Sequence, residues 1–352
     1  MSKSVGTTAQ TNKSGIHHFI VEELRKKVRN SKDMASEIAD LLHLSRSAVY
    51  RKLSGEVPFT LSETEFLVKQ FHISLDNYIF GGSSATGFRF KGNPKPEETV
   101  NSYYSKILGI LQFFVQDNNN PELHMTTQEI VPFHYMNFPE LTAFQILIWS
   151  RVTMRFPDIE DEGFRVEEKA KDPELLQLSK QVIQIYDNLP SMEYISSNIL
   201  DKNLAALQHF SKHTVFLDPT TPLLICDQLE LMVKHLFKMA KQGQKISYSL
   251  DKNTGSDIPY TLFHDILPNY DTNLLFKSSY KSFIYCSFDY PNFMSSAAPK
   301  MIDYVDKWMI NCRSHSYRIS GESEIYRTQL LQSFLGKIAH VKMILLQELA
   351  KK

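Results

Sequence analysis

The sequence predicts a mainly α chain with a small β part. It reads as an N-terminal five-helix domain followed by an α+β domain that carries a short antiparallel sheet. Three observations predict this. Apolar residues recur at three- and four-residue spacing from Ile16 to about Gln242, the period of one helix face. The period then falls to two over Lys245–Leu250, Tyr260–Ile266, Asn273–Lys277 and Ser282–Phe288. Between residues 81 and 96 the composition turns to Gly, Ser and Pro, as in a linker. The expected organisation is a flexible tail over 1–15, a helical domain over 16–80, a linker over 81–96 and an α+β domain over 97–352.

Taken in order, Ile16 to Asn30 is the first helix, with Ile16, Phe19, Ile20, Leu24 and Val28 inward. Two short helices follow back to back. Ile38, Ala39, Leu41 and Leu42 form the apolar face of the first. Ser45 is a good N-cap for the second, because its hydroxyl can accept from the free N–H groups of the first turn. Val49 and Leu53 then point inward and Gly55 stops the helix. This is the sequence form of a helix-turn-helix. Ile38 to Ser45, followed by Arg46-Ser47-Ala48-Val49-Tyr50-Arg51-Lys52-Leu53-Ser54-Gly55, resembles the lambda-repressor/Cro class of bacterial DNA-binding domains. Leu61 to Phe71 resembles that family's fourth helix and Ile73 to Ile79 its short closing helix. The likeness spans residues 16–80. It departs from the family at His43, where glycine is common in the turn, and at Ala35, where the family often has a phosphate-touching Gln.

Downstream, the helical period predicts helices over Pro96–Gln116, Pro139–Phe156, Pro173–Asn188, Ser191–His213 and Pro222–Gln242. Met125 to Pro132 reads as extended or as a short helical piece. After the strands come a helix over Met301–Cys312, a short strand or loop over Ser314–Ile319 and a long last helix over Glu322–Lys351. In that last helix Leu331, Phe334, Ile338, Val341 and Leu345 form a seam of about two heptads, suited either to a twin helix or to the chain's own sheet. Lys307-Trp308, Arg318-Ile-Ser-Gly321, Glu324 and Arg327 resemble the end of bacterial regulators that join such a helix-turn-helix to a large C-terminal domain.

Composition excludes little by itself. The 352 residues are 42% hydrophobic and 22% charged, as in globular proteins, and 39 Lys/Arg balance 39 Asp/Glu. Arg25, Lys26, Lys27, Arg29 and Lys32 make a local basic cluster that could follow phosphates or simply solvate a helix. Cys226, Cys286 and Cys312 are too far apart for a Cys-x-x-Cys site and suggest reduced thiols in the cytoplasm. There is neither a leader nor an apolar run near 20 residues, so no membrane partner is expected. His209 and His213 have the i, i+4 spacing of metal ligands but lack the HExxH pattern and a nearby acidic third ligand. No nucleophile-elbow, phosphate-loop or dinucleotide motif occurs. No catalytic residue, metal or cofactor is therefore assigned.

The resemblance implies a bacterial, sequence-specific transcription regulator with double-stranded DNA as partner. Arg46, Ser47, Tyr50 and Arg51 would face the major groove, Lys52 and Ser54 would meet the backbone, and Ser45 at the helix start belongs to the same DNA-binding set. The α+β domain would form a homodimer, sense a small-molecule ligand, or both. The alternatives are a protein–protein adaptor built on the helical domains and an enzyme with a DNA-binding leader.

Overall fold

The structure, a computed structural model, describes residues 15–28, 31–71, 73, 75–80, 88–90, 98–116, 119–159, 163–213, 215–248, 255–268, 270–279, 281–321 and 323–351. All of the expected tail but Gly15 lies outside them, as does most of the expected linker. The chain divides into two units, Met1–Gly87 and Phe88–Lys352.

The first unit holds α1 (Ile16–Lys27), α2 (Ser31–Leu42), α3 (Arg46–Leu53), α4 (Leu61–Gln70) and a six-residue α5 (Leu75–Phe80). Ile20, Leu24, Ile38, Val49 and Leu67 meet in one apolar core. Local chemistry sets the ends of the helices. Ser45 caps α3 by accepting from Ala48 N–H at 3.3 Å. Thr60 and Glu63 form a reciprocal capping box at the start of α4. His43 takes the left-handed φ of 53° that the turn requires, and Leu44 N–H closes α2 on Ala39 C=O at 2.9 Å.

The second unit corrects the predicted fold class. Its β part is a nine-stranded mixed sheet, not a short antiparallel one. The strands are β1 (Arg89–Phe90), β2 (Glu122–Thr127), β3 (Ser191–Ser196), β4 (Gln244–Ile246), β5 (Gly255–Asp265), β6 (Asn273–Lys277), β7 (Phe283–Asp289), β8 (Asn292–Ser296) and β9 (Ser316–Arg318). They lie in the order β1-β8-β7-β6-β2-β3-β5-β4, with β9 paired to β5. The β2–β3 and β3–β5 pairs are parallel and the others antiparallel.

The miss has a physical cause. Ser191–His213 reads as one helix because Met192, Ile195 and Ile199 fall at helical spacing. In the structure its first six residues are β3 and the helix, α11, begins only at Asp201. β3 is buried along nearly its whole length, and a strand covered on both faces shows no period-two alternation. Arg89–Phe90, inside the expected linker, is an edge strand on β8.

Register carries one row of side chains across the sheet: Arg89, Ser295, Tyr285, Leu274, Met125, Glu193 and Leu262. Over this face lies the large core, with α6 (Val100–Val115), α8 (Pro139–Val152), α10 (Pro173–Asp187), α12 (Thr221–Gln242) and α14 (Glu324–Leu349). The opposite face packs Leu275 and Ile284 against Val305 and Met309 of α13 (Pro299–Cys312). Two short helices, α7 (Pro132–Tyr135) and α9 (Val166–Lys169), complete the connections.

The α14 seam turns inward. Phe334, Ile338, Val341 and Leu345 are buried, and Phe334 meets Phe237 of α12 edge to face. The Arg318–Arg327 pattern is a lock. Buried Arg327 donates to Ile319 C=O at 2.9 Å and Gly321 C=O at 2.7 Å, while Ser320 Oγ accepts from Leu262 N–H of β5 at 2.8 Å.

Glu193, in mid-strand, is fully buried. It accepts from Tyr186 Oη at 2.5 Å, Ser191 Oγ at 2.9 Å, His134 Nε2 at 2.9 Å and Tyr260 Oη at 3.1 Å. Lys245 Nζ stands 3.6 Å from the same carboxylate and 3.1 Å from the centre of the Tyr186 ring. Burial alone would raise the Glu193 pKa, but His134 and Lys245 outweigh it and hold the carboxylate well below its ordinary range. Lys245 is pushed down, because its burial exceeds the pull of Glu193 and Asp187.

Candidate nucleic-acid interface

α3 is two-sided. Val49 and Lys52 are buried, Ala48 and Leu53 are half-buried, and Arg46, Ser47, Tyr50, Arg51 and the flanking Ser45 and Ser54 are exposed. The 100° step of a helix produces this division: positions 49, 52 and 53 share one side, and 46, 47, 50, 51 and 54 the other.

On the open side the donors are held without being buried. Arg46 Nη2 donates to Ser36 Oγ of α2 at 2.7 Å. Arg51 Nε donates to Glu56 Oε1 at 3.0 Å, in an ion pair whose two side chains are each 59% exposed. Ser45 and Ser47 hydroxyls lie 3.3 Å apart, and Ser54 Oγ donates to Arg51 C=O at 3.0 Å. Tyr50 is 57% exposed, and its hydroxyl has no hydrogen bond among the described residues. Six of the seven sequence-predicted residues thus form one solvent-facing group that includes two guanidinium groups. Such a face can offer bidentate donors to base edges and hydroxyls to phosphates.

Lys52, expected to meet the DNA backbone, points the other way. Only 8% of it is exposed, and its Nζ donates to Glu63 Oε2 at 2.8 Å and Pro58 C=O at 3.1 Å. The same Glu63 oxygen accepts from Thr60 N–H at 2.7 Å. Partial burial would raise the Glu63 pKa, but the Lys52 ammonium and the Thr60 amide outweigh it and lower it. His17 completes the clamp: its Nδ1 accepts from Phe59 N–H at 3.2 Å, and its Nε2 donates to Lys52 C=O at 2.8 Å. Lys52 therefore joins α3 to α4.

Sequence reasoning missed Ser36, Glu56 and His17. Glu56 alone left a signal, as an acid just past the Gly55 stop and near Arg51. Ala35, where the resembled family often has Gln, is buried in the core and reaches no outer surface. In the basic cluster, Arg25 and Lys26 pair with Glu22 and Glu23 at 2.7 Å each, as a solvated helix face does; Arg29 and the Lys32 side chain lie outside the described residues.

The rings of His209 and His213 lie 4.7 Å apart. α11 ends at Phe210, and His213 Nδ1 bonds to His209 C=O at 3.0 Å. No group of three or more His, Cys, Asp or Glu is placed to hold a metal among the described residues. No helix among them is long and apolar enough to cross a membrane.

Residues 13–95 match the family model described as the BetR domain. Curated proteins and solved structures provide no match to the chain. The matched span takes in all five helices of the first unit. Residues 13–95 are thus similar to the BetR domain, and the first unit has the form of a helix-turn-helix regulatory domain.

Proposed function

We propose that this chain is a sequence-specific, DNA-binding transcription regulator that works as a homodimer. α3 enters the major groove, Arg46 and Arg51 read base edges, and Ser45, Ser47, Tyr50 and Ser54 set register on backbone and bases. The observation that carries the reading is the one-sided exposure of α3, with both arginines on its open face. The BetR match over residues 13–95 supports it independently. Dimerisation follows from the physics of recognition, since two such helices one turn of DNA apart multiply affinity and specificity. The second unit supplies the dimer contact through a surface other than the α14 seam, which is already buried.

The test is enrichment of a random duplex pool by the full chain at moderate salt, beside Arg46→Ala/Arg51→Ala. The expected result is a two-fold-related site whose binding falls by about 1–3 kcal/mol for each arginine removed. Equal, sequence-independent recovery by wild type and variant would sink the reading and turn attention to a protein-docking use of α3.

A further inference from the structure

The second unit contains a cavity of about 380 Å³ between α6 and the sheet face of β6, β7 and β8. This lies within the size range of small-molecule sites. Its inner wall is apolar: Leu111, Val131, Phe133, Met154 and Phe276 are all buried. Tyr285 and Ser295, successive members of the side-chain row that starts at Arg89, line it too. The cavity therefore grades from a hydrocarbon-like interior to a polar mouth at the sheet edge.

Among the described residues, three charged ones line the cavity, Arg89, Lys106 and Glu98. Lys106 Nζ is neutralised by Glu98 at 2.6 Å. Arg89 is exposed and has no hydrogen bond or ion pair among the described residues. Its charge is felt by the Tyr285 phenol, whose pKa burial raises and Arg89 pulls back. A guanidinium without an ion pair among the described residues, at the rim of an apolar cavity, is the complement of a ligand with an apolar body and a single anionic head.

We propose that this cavity binds a small hydrophobic monocarboxylate, of about 10–20 non-hydrogen atoms for this volume, with its chain or ring against Leu111, Phe133 and Phe276 and its carboxylate on Arg89. The assignment does not rest on the DNA reading, and its test contains no DNA. A built-in reporter is at hand. Trp149 stands 5.9 Å from the Tyr103 ring and 6.0 Å from the Tyr290 ring, and both tyrosines line the cavity.

The experiment titrates the full chain, as Trp308→Phe to isolate Trp149, with octanoate, octan-1-ol and octylammonium while tryptophan emission is followed. Isothermal titration gives the stoichiometry. We expect saturable one-to-one binding of octanoate, weakened about tenfold or more by Arg89→Gln or by exchanging carboxylate for alcohol. Ile107→Trp, which fills the cavity, should abolish it. Arg89 lies on an exposed edge strand, so its variant folds even if the filled cavity does not. No saturable response to octanoate overturns the site. Octanol binding as tightly as octanoate, tighter octylammonium binding, or an unchanged affinity in Arg89→Gln overturns the ligand class.

Discussion

Each unit holds a lysine–glutamate pair that water scarcely reaches, and the two pairs behave differently. Lys52 and Glu63, in the helical unit, keep 10% and 18% of their side chains exposed. They sit at the seam between α3 and α4, and each also bonds a backbone group. Lys245 and Glu193, in the sheet unit, have 0% and 0%. There the carboxylate is surrounded by two tyrosines, a serine and a histidine as well as the ammonium. A pair at a rim gains from its partner while losing little hydration. A pair in a core loses nearly all its hydration, and here four hydrogen bonds to the carboxylate offset that loss. The first pair fastens two helices; the second fixes the register of the central strand, since any slip of β3 would strand a carboxylate in hydrocarbon.

The largest expected effect breaks the inner pair. Glu193→Gln keeps the shape but leaves His134 and Lys245 facing a neutral group, and should cost the second unit about 3–5 kcal/mol in chemical denaturation. Its pH signature sharpens the point. The folded pKa of Glu193 is lowered, so its stabilisation is fully present above the unfolded value of about 4.3 and is lost as pH falls below it. The variant should therefore show a flatter acid limb in Tm against pH; an unchanged acid limb would mean that Glu193 is not the group that titrates.

The outer pair should give way more gently. Lys52→Met should cost the first unit about 1–2 kcal/mol, the scale of hydrogen bonds to a charged group. It should leave the preferred DNA sequence and the salt dependence of binding unchanged. A salt slope reduced by about one would instead identify Lys52 as a phosphate contact. The smallest effect is at the turn. His43→Gly removes the strain of a side chain at a φ of 53° and should raise the unfolding free energy of the first unit by about 0.5–1 kcal/mol. A loss of stability there would show that the imidazole makes contacts worth more than the strain.

The contrast also explains what the sequence could reveal. The first unit was legible because its contacts are local: the Ser45 cap, the inward Val49 and the Gly55 stop each act within a few residues. Even Lys52 was legible in principle, since it lies three residues after Val49 and so on the same side of the helix; its charge suggested an outward direction that geometry overrules. In the second unit the long helices and the strand Asn273–Lys277 were legible, and the strand's predicted and observed bounds agree although both of its faces are covered. β3 was not, because a glutamate in mid-strand breaks the apolar pattern and the partners that make it tolerable come from four other segments. The open arginines of α3 announced themselves by residue type. The cavity did not, because its wall is assembled from elements far apart in the chain.

The placing of β2 between β3 and β6 has a consequence for timing. Met125 faces Glu193 on one side and Leu274 on the other. At a synthesis rate of roughly 5–20 residues per second, about 7–30 s separate the emergence of Met125 from that of its second neighbour. The helical unit, whose core lies within residues 20–73, needs no such wait. On the ribosome, then, the unit with the open arginines is finished first, and for many seconds each growing chain carries a folded head on a sheet that still lacks its middle.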